Sequence, residues 1–407
     1  MRILALGSSL FVIAIVLLAA SARAAAAQPG AKGRSVAWGV VGNYTAEDVD
    51  AMTSRGLRLG LVEMSWSSAE PAEGRWNGSY FADVRARIAR LRSSGVGVIL
   101  NFGLQDAPAW LLARPNARFV NQRGTPFTQD DAANLVFATG LRRYAAAYTR
   151  KVFRELGTGF YAVRVGGLHW GELAYPYLGR GTNDYWAFDA SAVAARARTP
   201  FAQYVPCQGP TSQAQGFVSW YLGRLVEFQN WQVRTVRRFF RGPIAVLYPS
   251  HGFASGDAAV AARGNLCGTT SAEVNGELQR GIDHRRQIRG LPNLQCLAAW
   301  STWENNASAA SDVFGPARQR GILRMGENSG DDRDAASMQA AVRNALRFRL
   351  AAFLWIRLDG SEPATSTIDR FATTVGAAAA ASTPLAARAA RPAPAPCVAN
   401  KPRGRHG

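Results

Sequence analysis

Two glutamates stand where apolar runs give way to turns: Glu172 in Gly171-Glu172-Leu173-Ala174-Tyr175-Pro176, and Glu327 in Gly326-Glu327-Asn328. The first follows residues 160–170, rich in Val, Leu and aromatics, and the second follows 321–325. A carboxylate at the end of a buried strand loses hydration and costs free energy unless it is paired or used. Two of them, on strands distant in sequence, can divide the hydrolysis of a glycosidic bond: one protonates the leaving oxygen while the other activates water or attacks the sugar carbon. Capping or ion pairing explains either residue alone. The pair carries the chemistry.

The elements that must position them alternate. Short, continuously apolar segments at 36–41, 57–66, 96–104, 160–170, 244–248, 294–300, 321–326 and 351–356 read as strands buried on both faces. Between them, helices are predicted over 46–54, 80–94, 134–156, 216–238, 272–289, 311–320, 334–349 and 367–375. In the second of these, Phe81, Val84, Ile88 and Leu91 recur at helical spacing with arginines between them. Eight strand–helix units predict an α/β fold, a (β/α)8 TIM barrel, with a doubly wound sheet as the alternative. In the barrel, Glu172 follows the fourth strand and Glu327 the seventh, at the strand ends where such barrels place their chemistry. The segment 175–213, rich in Gly, Pro, Tyr and Trp, would lie over the mouth as a lid or substrate-binding loop.

Residues 1–27 read as a secretory signal: Arg2, an apolar run from Leu4 to Ala20, and Ala22-Arg23-Ala24 as a cleavage site, with Ala27 a second choice. A secreted protein without stable membrane association is expected after cleavage. The catalytic domain would span 28–376, and the Ala/Pro/Arg-rich residues 377–407 would form a disordered tail. Net charge is +19, yet 44 of the 47 basic residues are Arg scattered along helices, without basic stripes or aromatic platforms. No nucleic-acid partner is expected. Cys207, Cys267, Cys296 and Cys397 lack metal spacing, and the histidines are dispersed, so neither metal nor cofactor is expected. The cysteines allow three disulfide connectivities; Cys207 with Cys267 is favoured because both sit in long loops.

With these residues in place, a resemblance emerges. Val165-Gly166-Gly167 followed by Gly171-Glu172-Leu173-Ala174-Tyr175-Pro176-Tyr177 resembles the acid segment of the β-amylases, glycoside hydrolase family 14. Gly326-Glu327-Asn328 resembles that family's base segment, and Trp355-Ile356-Arg357-Leu358 its last strand. Leu61-Val62-Glu63-Met64-Ser65-Trp66 and Tyr248-Pro249-Ser250-His251 are similar to the segments after its second and fifth strands. The resemblance implies an inverting hydrolase of an oligo- or polysaccharide, with Glu172 as general acid and Glu327 as general base. It implies Glu63, Trp66, Asp106, Trp110, Tyr175, His251, Asn328 and Arg357 as substrate-binding residues, Arg357 lending positive charge near the base.

The third-strand segment departs from that family: it lacks the His, and its loop reads as shorter, with Asp106 as the substitute acid. Pro108-Ala109-Trp110 and Glu70-Pro71-Ala72-Glu73-Gly74 resemble family 42 β-galactosidases instead. Those retaining enzymes place Asn before the acid, where this chain has Gly171. The alternatives are therefore a retaining β-galactosidase-like enzyme or a non-catalytic carbohydrate-binding barrel. Trp66, Trp110, Trp170, Trp300 and Trp303 fall at strand ends and would line a sugar-stacking rim. Glu304 is a spare carboxylate that could replace Glu327 as base. A monomer is expected.

Overall fold

Eight parallel strands hydrogen-bond in sequence order, and the last closes on the first. They are β1 Ala37–Val41, β2 Leu59–Glu63, β3 Gly97–Asn101, β4 Ala162–Val165, β5 Ile244–Tyr248, β6 Leu297–Ser301, β7 Leu323–Asn328 and β8 Ala352–Ile356. The computed structural model describes residues 36–249, 251–254, 256–328, 334–356 and 364–382. The signal expected over 1–27, the tail from 383 onward and Arg357 lie outside the described residues. No described helix is long and apolar enough to cross a membrane.

Strand alternation builds two cores. Leu59, Leu61, Ile99, Ala162, Ala245, Leu247, Ala298, Trp300, Met325, Ala352 and Leu354 fill the barrel interior as one buried cluster. The alternate strand residues, among them Val62, Val98, Val163, Val246 and Phe353, pack outward against the helices. Gly39 is required where β1 meets β2, because a Cβ there would fall 2.1 Å from the Leu59 carbonyl oxygen. The helix Gly78–Ser93 buries Phe81, Val84, Ile88 and Leu91, the stripe its spacing predicts.

Several boundaries differ from the sequence expectation. The helix expected over 134–156 begins at Arg142, because residues 102–141 form a long connection after β3. The helix expected over 272–289 breaks into Ala272–Arg280 and His284–Arg289 at Gly281, whose φ of +74° ends the first piece. The last helix, Ala364–Ser382, runs past 376, carried by the alanines that follow, the residue type of highest helix propensity.

The segment 175–213, expected as a lid or substrate-binding loop, is tethered to its neighbours as a wall beside the mouth. Asn121 donates to Asp184 at 2.6 Å, the Asp184 N–H donates to Gln279 Oε1 at 2.6 Å, and Asn183 donates to the Leu266 carbonyl at 2.9 Å. A disulfide joins Cys207 to Cys267, as favoured. The connections after β3, β4 and β5 are thereby tied together.

Candidate active site

Alternation also decides what stands at the mouth. Glu63, Asn101, Arg164 and Glu327 follow Leu61, Ile99, Ala162 and Met325 by two residues, so they extend the interior face into a polar layer. Asn101 donates to Glu63 at 2.7 Å, and Gln105 adds a second donor at 2.9 Å. Arg164, on β4, crosses the interior to donate to Glu327 Oε2 at 2.5 Å, with its guanidinium 5.4 Å from the Trp300 ring centroid.

Glu327 is almost fully buried, and burial pushes its pKa up; the Arg164 charge and hydrogen bond pull it back toward ionisation. Glu172 is pushed up to about 7, chiefly by burial, with Arg280 opposing and Glu327 reinforcing the rise. Arg280 donates to Glu172 Oε2 at 2.8 Å. The two carboxyls therefore share one electrostatic environment, and each has its own guanidinium. Burial raises both, Glu172 to about 7, and the ion pair with Arg164 opposes the rise at Glu327.

A tight loop positions Glu172. The Gly167 N–H donates to the Gly171 carbonyl at 2.9 Å, and the Leu168 N–H to the Glu172 carbonyl at 3.1 Å. A Cβ on Gly166 would fall 2.4 Å from that Gly171 oxygen, so only glycine lets the loop fold back. The Leu173 N–H then ties the chain to the Leu247 carbonyl of β5. At the loop's tip Trp170 takes a left-handed conformation (φ +56°), unusual for a bulky residue, and is 63% exposed.

Glu304 lies behind the mouth, fully buried, with its carboxyl packed against Gly326. Neither oxygen meets a donor in good geometry, and burial with repulsion from Glu327 raises its pKa well above the carboxylate range. Its surroundings favour the protonated form. Asp106 is also raised, to about 6, by burial and by Glu63, Asp131 and Asp130.

Of the residues expected to bind substrate, Glu63 is near enough to raise the pKa of both Asp106 and Glu327. His251 packs edge-on to Trp303 at 5.2 Å, and Trp303 bridges to Asn328, so these three join the loops after β5, β6 and β7. Asn328 itself is buried and accepts from the Asn305 N–H, a bracing position. Trp66 and Tyr175 are corrected: both are fully buried. Trp66 donates to Glu70 and stacks on Tyr148, and Tyr175 stacks between Phe137 and Tyr221. Trp110 is half-buried, its indole donating to the Glu70 carbonyl and its ring edge-on to Tyr144. Trp300 is interior packing. The expected rim of tryptophans reduces to Trp170 and Trp303.

Arg164 and Arg280 were not anticipated from the sequence. A lone charge inside Ala162-Val163-Arg164-Val165 is the signal that marks the first; Arg280, on a helix after β5, carries none.

Comparison with known proteins bears on this site. A family model described as beta-galactosidase, glycoside hydrolase family 42, matches residues 38–163, which ends before Glu172. The catalytic domain of β-amylase from Paenibacillus polymyxa superposes with a TM-score of 0.64 at 14% identity, over 84% of this chain and 100% of that one. The superposition shows a shared barrel fold. The β-galactosidase of the psychrophilic Marinomonas ef1 gives 0.58 at 14% identity, over 84% of this chain and 60% of that one. That of Halorubrum lacusprofundi gives 0.58 at 13% identity, over 83% and 57%. The chain thus spans somewhat over half the length of these galactosidases. No curated protein matches it in sequence. The partial match and the superpositions support a barrel of the kind glycoside hydrolases are built on.

Proposed function

We propose that the protein is an exported O-glycosyl hydrolase, β-amylase-like, that cleaves an oligo- or polysaccharide with inversion. Glu172 serves as general acid and Glu327 as general base. The observation that carries this reading is the pair of carboxyls at the mouth, one pushed up to about 7 and one hydrogen-bonded to a buried guanidinium. Glu172 donates its proton to the glycosidic oxygen as the bond lengthens. Arg280 then stabilises the carboxylate left behind, which it already touches. Glu327, whose ionised form Arg164 favours, takes a proton from the water that attacks the anomeric carbon. Glu63 and Asp106 accept hydrogen bonds from sugar hydroxyls in this reading. The Cys207–Cys267 disulfide supports an oxidising, extracellular setting.

The match to the β-galactosidase family model favours a second reading, in which Glu327 attacks the sugar directly and the anomer is retained. Both readings are tested with Glu172→Gln and Glu327→Gln on a panel of α-glucan and β-galactoside oligosaccharides. Turnover is expected to fall at least about a hundredfold in each variant while sugar binding persists. A wild-type protein that binds these sugars without cleaving them would instead mark a carbohydrate-binding barrel.

A further inference from the structure

Among the chain's 11 tryptophans Trp170 is the most exposed, at 63%, followed by Trp303 at 37%. Its conformation is held from several sides. The imidazole of His169 stacks on the indole with ring centroids 4.0 Å apart. His169 is buried and fixed by Asp130, from the connection after β3, through Nδ1 at 2.5 Å. Phe127 meets the imidazole edge-on at 5.4 Å. The guanidinium of Arg280 lies 5.8 Å from the Trp170 ring centroid while it donates to Glu172. The backbone accepts φ +56° at Trp170, where glycine or asparagine would sit without strain. A large apolar ring, supported beneath and strained into the open beside a candidate acid, is costly unless something covers it.

We propose that Trp170 is the platform on which the leaving-group sugar of the substrate stacks. The assignment rests on Glu172 being the general acid. A general acid must reach the glycosidic oxygen, and beyond that oxygen lies the leaving group. Trp170 precedes Glu172 by two residues on the same tight loop and shares Arg280 with it. An indole face offers the C–H surface of a pyranose a flat apolar contact, whatever its hydroxyl pattern. The ring therefore selects for a sugar on the leaving side rather than for one particular sugar.

The test compares matched substrates with and without a leaving-group ring: maltotetraose against α-maltosyl fluoride, and lactose against β-galactosyl fluoride. Fluoride presents nothing to stack and needs little help from an acid. In Trp170→Gly, the ratio of kcat/KM for the oligosaccharide to that for the fluoride is expected to fall about ten-fold, mostly through KM, the loss expected for one aromatic stack. Trp170→Phe should recover part of it. Because glycine accepts the left-handed backbone freely, Trp170→Gly should melt no lower than the wild type, which separates lost binding from lost folding. An unchanged ratio in Trp170→Gly, with both substrates equally affected or neither, overturns the platform. A wild-type protein that turns over none of the four substrates overturns the glycosidase reading beneath it.

Discussion

Arg164 of β4 donates to Glu327 of β7 at 2.5 Å through the barrel interior, and both side chains are nearly excluded from water. Removing the cation leaves a buried carboxylate without its partner. Arg164→Met is expected to destabilise the fold by about 3–5 kcal/mol in urea unfolding. It should also move the acid limb of the pH–rate profile upward, because Glu327 loses the charge that favours its ionised form. Arg164→Lys should restore part of the pH profile but not the full stability, since a point charge does not reproduce the guanidinium's contacts with carboxylate and indole.

Glu172 sets the other limb. With its pKa near 7, activity should decline as pH climbs through about 7 and the acid loses its proton. Arg280 holds that value down, so Arg280→Gln should shift the alkaline limb to higher pH. A limb that stays in place in this variant would show that another group limits the rate.

Stability should run opposite to the usual expectation for carboxylates. Glu172, Asp106 and Glu304 all have folded-state pKa values above their unfolded ones. Their stabilising contribution is complete below the unfolded values of 4.5 for Glu and 3.8 for Asp, and it is lost as pH rises through the folded ones. The melting temperature should therefore fall between about pH 5 and 8, with Glu172 alone accounting for a loss on the order of 2–3 kcal/mol. Glu304→Gln keeps the neutral shape and cannot ionise. It should flatten this slope and raise the melting temperature at pH 8.

The ring of strands is legible because eight short apolar runs, each too short for a membrane and too continuous for a half-exposed sheet, have few ways to be buried. The two glutamates are legible because each ends such a run. What surrounds them is not. The partners of Glu172 and Glu327 are 108 and 163 residues away in sequence. No local pattern joins them. The tryptophans mislead for a different reason: position near a strand end does not fix direction. Trp300 continues the inward alternation of Ala298, whereas Trp66 lies past the end of β2 in a helical turn that faces Tyr148. Residues 102–141 bury Phe119 and Phe127, yet no periodic pattern in the sequence marks where they fold.

The Cys207–Cys267 bond closes a loop of 60 residues and ties the wall after β4 to the connection after β5. Cys207→Ser with Cys267→Ser should lower stability by about 4 kcal/mol on chain-entropy grounds. If the wall also shapes the mouth through Asp184 and Gln279, KM should rise in the same variant.

The most direct measurement is proton NMR of the first minutes of hydrolysis, with maltotetraose and lactose as substrates and with the anomeric signals resolved before mutarotation. Glu172 as acid and Glu327 as base give an inverted anomer as the first product, and neither Glu172→Gln nor Glu327→Gln should yield it at a comparable rate. A retained anomer, or undiminished turnover in Glu327→Gln, would contradict the assignment.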